Sequence, residues 1–303
     1  MSKKSIGILY ICTEQYCLFW EDFHKTFDEK FLPDTTKNYY VFTNKPETIP
    51  ECERVKVFYI DHQPWPLITL LRFHYFLKFR HEIENNDYLM FANSNLRCQQ
   101  IITEDEFLPD EHQELTSVLH PAFYETKSRY LTYERDRKST AYIPYNVKGR
   151  YMMGSLFCGH TDKFMKMSEI LAARINKDFA NRKIALWHDE SQYNKYILEG
   201  HNIRVLSPSY VYPDNWIIPF DIKIAMTDKS KIFTVNEFKE GMRMEKIGAE
   251  NKKTKKFSFI SAPIIRIPLI KIYLAAHRFI FHTLKRRWID ILTLRDMILF
   301  RHI

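Results

Sequence analysis

Glycine is scarce in this sequence, with seven in 303 residues. Neither GxGxxG nor a P-loop pattern occurs, so a glycine-rich turn cannot cradle phosphate here. Any bound diphosphate would have to be held largely by side chains. Cysteine is also sparse: Cys12, Cys17, Cys52, Cys98 and Cys158. None forms a CxxC pair and their spacing fits no zinc site. They are expected to be free thiols in a reducing compartment. No apolar run approaches the ~18 residues that a membrane span needs. The start, MSKKSIGILYIC, has a basic flank but too short an apolar run for a signal peptide. The expected location is therefore the cytoplasm. Internal repeats and low-complexity linkers are missing too.

Charge and aromatic residues are plentiful. Phe (23) and Tyr (18) far outnumber Trp (5), which suits a packed core and also sugar-stacking surfaces. The formal net charge is +8, but it is uneven. Residues 252–303 hold twelve Lys or Arg against two Asp, a local +10, which leaves about −2 for residues 1–251. A near-neutral body with a basic tail argues against a nucleic-acid binder, and no nucleic-acid motif is present.

The apolar pattern predicts an α/β fold. Ile6–Ile11 reads as a strand buried on both faces. Glu14–Glu29 reads as a helix carrying Leu18, Phe19, Phe23 and Phe27. Strands follow at Tyr39–Phe42 and Val55–Ile60. A long helix is expected from Pro66 to about Glu84, then a strand at Asp87–Ala92. Strands and loops fill 115–160, and helices are expected over 161–180 and 189–199. In such folds ligands sit beyond the carboxyl ends of the strands, here residues 11–16 and 93–97.

Four segments carry more specific information. They are Asn93-Ser94-Asn95, Leu119-His120-Pro121-Ala122-Phe123-Tyr124, Leu131-Thr132-Tyr133-Glu134-Arg135 with Ala141-Tyr142-Ile143-Pro144, and Trp187-His188-Asp189-Glu190-Ser191. In order and spacing, from about Ile6 to Phe220, the sequence resembles the family 6 glycosyltransferases. These include the histo-blood-group A and B enzymes, α-1,3-galactosyltransferase and bacterial relatives. The resemblance implies a GT-A type fold with a central mixed, mostly parallel sheet. It also implies a UDP-sugar donor, UDP-galactose or UDP-N-acetylgalactosamine, and transfer with retention to O3 of a galactose. The acceptor would be a galactoside or fucosyl-galactoside.

The resemblance also assigns residues. Asn93 and Asn95 stand where the family has a metal-binding DxD motif. Asparagine carbonyls are poor ligands for Mn²⁺ or Mg²⁺, so catalysis without metal or other cofactor is expected. By themselves these residues would also suit a strand-ending turn. Positive charge for the leaving UDP is then expected from Arg72, Lys229 and Lys231, although the two lysines could equally be a solvated loop. Glu190 is the expected catalytic carboxylate, and Asp189 is expected to orient the donor sugar. Both would also suit a helix's first turn. Ile11, Cys12, Thr13 and Tyr16 correspond to the segment around uracil. Met153, Gly154 and Ser155 correspond to the stretch facing the donor's C2 substituent, where Ser155 favours galactose by size. His120, Thr132 and Trp187 match acceptor-binding positions.

Two domains are expected: a catalytic domain over 1–250 and a basic amphipathic helical extension over 251–303. The extension reads as an interfacial helix on an anionic membrane surface, at the inner face of the cytoplasmic membrane, or else as a docked helix pair. The competing functional reading is a non-catalytic, sugar-binding remnant of the same fold.

Overall fold

Apolar segments along the first two thirds of the chain assemble into one sheet with helices on both faces. The computed structural model describes residues 3–229. Residues 3–215 and 220–229 belong to one compact unit, and the description below is of that unit. Residues 216–219 fall in a second unit with the chain beyond 235. Lys231, the boundary expected at 250 and the extension over 251–303 lie outside the described residues.

The elements, in order, are β1 (Ser5–Ile11), α1 (Trp20–Lys30), β2 (Thr36–Thr43), β3 (Val55–Tyr59), α2 (Leu67–Leu70), α3 (Arg72–Lys78), α4 (Arg80–Ile83), β4 (Tyr88–Asn93), β5 (Leu96–Cys98), α5 (Glu104–Phe107), β6 (Leu115–Leu119), β7 (Met152–His160), α6 (Thr161–Ala180), α7 (His188–Ile197), β8 (Ile203–Leu206), β9 (Tyr212–Pro213) and β10 (Ile224–Met226). The main sheet has seven strands in the order β3-β2-β1-β4-β7-β6-β8. All neighbours are parallel except β7, which runs antiparallel to β4 and β6. The sheet is thus mixed and mostly parallel, as expected. A small sheet, β5-β10-β9, lies apart from it.

Strand alternation divides the core. Ile8, Tyr10, Tyr39, Val41, Met90 and Ala92 face α1, packing with Trp20, Phe23 and Phe27. Leu9, Phe42, Leu89 and Phe91 face the other way, toward Phe73, Phe76, Phe164, Leu171 and Tyr193. Each such fully buried aromatic contributes about 1.5–3 kcal/mol of transfer free energy. The abundant Phe and Tyr are therefore mostly core. All five cysteines are free. Among the described residues no helix is long and apolar enough to cross a membrane.

Two helices differ from the sequence expectation. The segment after β1 starts as a 3-10 turn over Glu14–Phe19 before α1 begins. Glu14 sits in the left-handed region (φ 52°), and its N–H donates to Asn44 Oδ1 at 2.9 Å. That tertiary bond overrides the helical pattern. The expected helix over 66–84 is broken into α2, α3 and α4. Phe79 leaves helical geometry (φ −107°, ψ 27°), while Leu71 stays in the right-handed region with a shallow ψ of −3°. The Phe79 ring packs 4.4 Å from that of Phe58, so core packing sets the break between α3 and α4.

These connections bring several chain ends to one edge of the sheet. Ile11, Thr43, Asn93 and Leu119 end their strands there, and Met152 begins β7 beside them. The segments 11–16, 93–95, 119–123 and 152–155 therefore share that edge.

Candidate active site

Glu190 is placed by two fixings on α7. Asn194, one turn later, clamps the helix to β7: its Oδ1 accepts from the Met152 N–H at 2.8 Å, and its Nδ2 donates to the Met152 carbonyl at 2.9 Å and the Glu190 carbonyl at 3.0 Å. The Glu190 carboxylate then accepts the Gly154 N–H at 2.8 Å. A Cβ on residue 154 would stand 3.1–3.3 Å from Glu190 side-chain atoms, so only glycine leaves the carboxylate its full space. His188, just before it, holds a left-handed φ of 52°. That is a strained backbone for a non-glycine residue, and such strain clusters at functional sites.

The charges around Glu190 form a small network. Arg72, 4% exposed, donates through Nη1 to the Gly154 carbonyl at 2.9 Å and through Nε to the Thr69 carbonyl at 3.1 Å. Its Nη1 lies 3.2 Å from buried Asp189, and its guanidinium stacks 4.1 Å over the Phe91 ring. Burial lowers the Arg72 pKa, opposed by Asp189 and Glu190. The Gly154 peptide thus joins both partners: its N–H holds Glu190 and its carbonyl holds Arg72. Burial raises the Glu190 pKa to about 7, helped by the Asp189 charge and opposed by the Gly154 N–H, Tyr151 and Arg72. A buried carboxyl raised toward neutrality beside charged partners marks a candidate functional group.

Beside this carboxyl lies a wall of unsatisfied polar groups. The Tyr151 hydroxyl lies close enough to Glu190 and Thr132 to interact with both but reaches full hydrogen-bond geometry with neither, and burial, then Glu190, push its pKa well up. Thr132 Oγ1, Tyr133 OH, Tyr151 OH, Ser155 Oγ and Trp187 Nε1 are all buried without a hydrogen-bond partner. Tyr133 and Tyr151 stack at 5.4 Å, and Trp187 and Phe123 pack against the same cluster. His120 packs against Phe123 with the rings tilted and 4.8 Å apart. Its Nδ1 accepts the Ala122 N–H at 3.1 Å, so the neutral ring must carry its proton on Nε2. Burial pulls its pKa to about 3, so it remains a neutral donor.

The other side of the edge is built from the ends of β1 and β4. Ile11 pairs with Asn93 in register. Asn93 and Ser155 lie one step beyond the Ala92–Leu156 pair, so the two are neighbours. Cys12 N–H donates to the Phe42 carbonyl at 3.0 Å, and Thr13 Oγ1 bonds His62 Nδ1 at 3.0 Å. Asn95 is buried; its Nδ2 donates to the Thr227 carbonyl at 2.8 Å and its backbone carbonyl accepts the Thr227 N–H at 2.8 Å, while its Oδ1 is left without a partner. This double tie leads the chain to Lys229, whose ammonium stands 5.0 Å over the Tyr16 ring.

Residues 1–235 match the sequence profile of glycosyltransferase family 6. The chain belongs to this family. Over 227 residues it is 34% identical to the O-antigen biosynthesis glycosyltransferase WbnI of Escherichia coli, covering 75% of this chain and 95% of that protein. It is 29% identical over 223 residues to histo-blood group ABO system transferase 2 of Rattus norvegicus, covering 70% and 64%. It is 26% identical over 240 residues to globoside alpha-1,3-N-acetylgalactosaminyltransferase 1 of Gallus gallus, covering 75% and 68%. This family 6 member is a glycosyltransferase of the hexosyl-transferring kind.

The fold brings the residues singled out from sequence into two groups. Arg72, Gly154, Asp189 and Glu190 are directly linked, with Thr132 and Trp187 among the orphaned groups nearby, His120 against the edge-on Phe123–Tyr151 pair, and Ser155 beside Asn93. Ile11, Cys12, Thr13, Tyr16, Asn93, Asn95 and Lys229 line the β1/β4 ends. Met153 packs partly buried against the core on the α1 side. Sequence reasoning missed Tyr151, which approaches Glu190, and Thr227, which holds Asn95. Tyr151 sits three residues before Gly154, and Thr227 two before Lys229. Their neighbourhood was visible, but their contacts depend on long-range packing.

Proposed function

We propose that this enzyme moves galactose from UDP-galactose to O3 of a galactose, with retention and without a divalent ion, on a fucosylated glycan acceptor. The observation that carries the reading is the set of buried, unpartnered hydroxyl and N–H groups beside a carboxyl whose pKa is near 7. Native proteins seldom leave such groups unpaired. A sugar pair presents many hydroxyls and would satisfy them.

In this reading Glu190, ionised, faces the anomeric carbon as positive charge develops there. Retention by a carboxylate nucleophile and retention by front-face attack both require that charge. The Arg72–Asp189 pair anchors the Gly154 peptide that holds the carboxylate. His120 Nε2–H and Thr132 position the acceptor, and Trp187 offers an apolar face. Lys229, reaching Tyr16, supplies positive charge for the departing UDP. The family's DxD motif implies a metal, but the groups present do not suit one. Asn95 faces a carbonyl with its NH₂, a bond that a carboxylate could not make, and Asn93 adds only a neutral amide. No step is therefore routed through a metal. Ser155, whose hydroxyl is buried, takes up room that an acetamido group would use, which supports galactose as the transferred sugar.

The test is incubation with UDP-galactose or UDP-N-acetylgalactosamine and 2′-fucosyllactose in EDTA, with NMR of the product. An α-1,3-linked galactose product is expected. Sugar binding without turnover would instead identify a non-catalytic remnant. Activity that disappears in EDTA and returns with Mn²⁺ would overturn the metal-free mechanism.

A further inference from the structure

Beyond Tyr151 lies an open groove of ≈ 530 Å³, lined by Lys127, Ser128, Arg129, Tyr145, Val147 and Lys148 among others. It is tied to the sugar wall at two points. Ser128 Oγ donates to the Gly149 carbonyl at 2.8 Å and accepts its N–H at 3.0 Å, two residues before Tyr151. Val147 packs on the cluster that contains Tyr133 and Tyr151.

The charge in this groove is one-sided. Lys127, Arg129 and Lys148 line it without any acidic residue, and none of them pairs with an acid among the described residues. Behind Tyr145 stands a fourth cation, Arg135, with its guanidinium 4.3 Å over that ring. Arg135 donates Nη1 to the Ile143 carbonyl at 2.6 Å, while its Nε and Nη2 are buried with no partner. Arg135 is only half-buried and lies over the Tyr133 and Tyr145 rings, but two of its nitrogens are desolvated without an acceptor, a cost that a nearby anion would offset. Tyr145 itself is 65% exposed, an aromatic face open to a sugar or similar ring.

We propose that this groove is a second binding site, for a phosphate-type anion carried on the reducing side of the acceptor glycan. The inference rests on the acceptor reading above and extends it. The galactose sits at Thr132 and Tyr151, and the chain behind it leads past Gly149 to the cations. Several convergent cations suit a diphosphate better than a single carboxylate, because their mutual repulsion is relieved by more than one negative charge. A transferase so equipped would select a glycan still joined through diphosphate to its carrier over a neutral free one.

The test is calorimetric binding to the full chain with saturating UDP, which blocks the donor's own diphosphate site. The probes are lactosyl diphosphate and methyl lactoside. The diphosphate is expected to bind about tenfold more tightly, the step expected of one good charge-assisted contact. That advantage should shrink to under about twofold in K127A/R129A/K148A and fall with added salt. Methyl lactoside affinity should be the same in both proteins, which also reports that the variant is folded. Equal affinity for the two lactosides, or an advantage that survives the triple substitution, overturns the proposal. So does displacement of lactosyl diphosphate by phosphatidylglycerol vesicles, which would mark the groove as a lipid-surface contact. Turnover of 2′-fucosyllactose is assayed separately: its absence sinks the transferase reading and leaves the binding result standing.

Discussion

The two sides of the site handle their polar groups in opposite ways. At the ends of β1 and β4 several of them are spent on one another: Asn95 on Thr227, Thr13 on His62, Cys12 on Phe42. At the Tyr151 wall they are left open: Thr132, Tyr133, Tyr151 and Trp187 each bury a polar atom without a partner. The first side is mostly prebuilt, although it too buries Asn95 Oδ1 and Thr227 Oγ1 without a partner, so its ligand meets a largely fixed surface. The second is incomplete, so its ligand supplies the missing bonds. Unpaired buried groups cost about 1–3 kcal/mol each, and binding recovers part of that. The contrast places affinity on one side and hydroxyl recognition on the other.

The strongest way to sharpen the contrast is Glu190→Gln, which keeps size and removes charge. Turnover is expected to drop about 10³-fold, while UDP affinity stays within about twofold, because the prebuilt side is untouched. Rate assays and calorimetry with UDP check this; undiminished turnover would remove Glu190 from the mechanism.

Next is Asn95→Asp, which breaks the prebuilt side. The carboxylate cannot donate to the Thr227 carbonyl, and the two would repel. Donor affinity is expected to weaken about tenfold or more. Adding Mn²⁺ should not restore it; a Mn²⁺-dependent gain would show that the site takes a metal after all.

Gly154→Ala tests the seat of Glu190. The added methyl would stand 3.1–3.3 Å from that side chain. A loss of about 1–3 kcal/mol in folding stability is expected, with kcat falling more than KM rises. Thermal unfolding and steady-state kinetics separate the two effects.

The smallest effect is in the pH profile. Burial holds the Glu190 proton up to about pH 7, so kcat/KM should rise as pH increases through that value and then level. The same shift has a stability consequence. The folded-state pKa lies above the unfolded value, so the favourable contribution is complete below the unfolded carboxylate range and is lost as pH climbs through 7. Glu190→Gln should therefore lose less stability than the native protein between pH 5 and pH 8, measured by urea unfolding.

Sequence by itself determined the regular frame and the identity of the chemistry. Strands with period-two or continuous apolar character, such as Ile6–Ile11 and Asp87–Ala92, announce themselves because burial on fixed faces is a local, repetitive demand. The ordered motifs around Asn93, His120, Thr132 and Glu190 indicated the family, which the profile match then established. Only the tertiary structure decided the rest. The break at Phe79 within the 66–84 segment is set by its packing onto Phe58, and the 3-10 start at Glu14 by a bond to Asn44. The seating of Glu190 needs Gly154 and Asn194 from distant segments, and the orphaned hydroxyl wall exists only once Thr132, Tyr151 and Trp187 are brought together. Periodicity reports which face is dry; it carries no information about which distant polar atoms will find one another and which will be left unpaired.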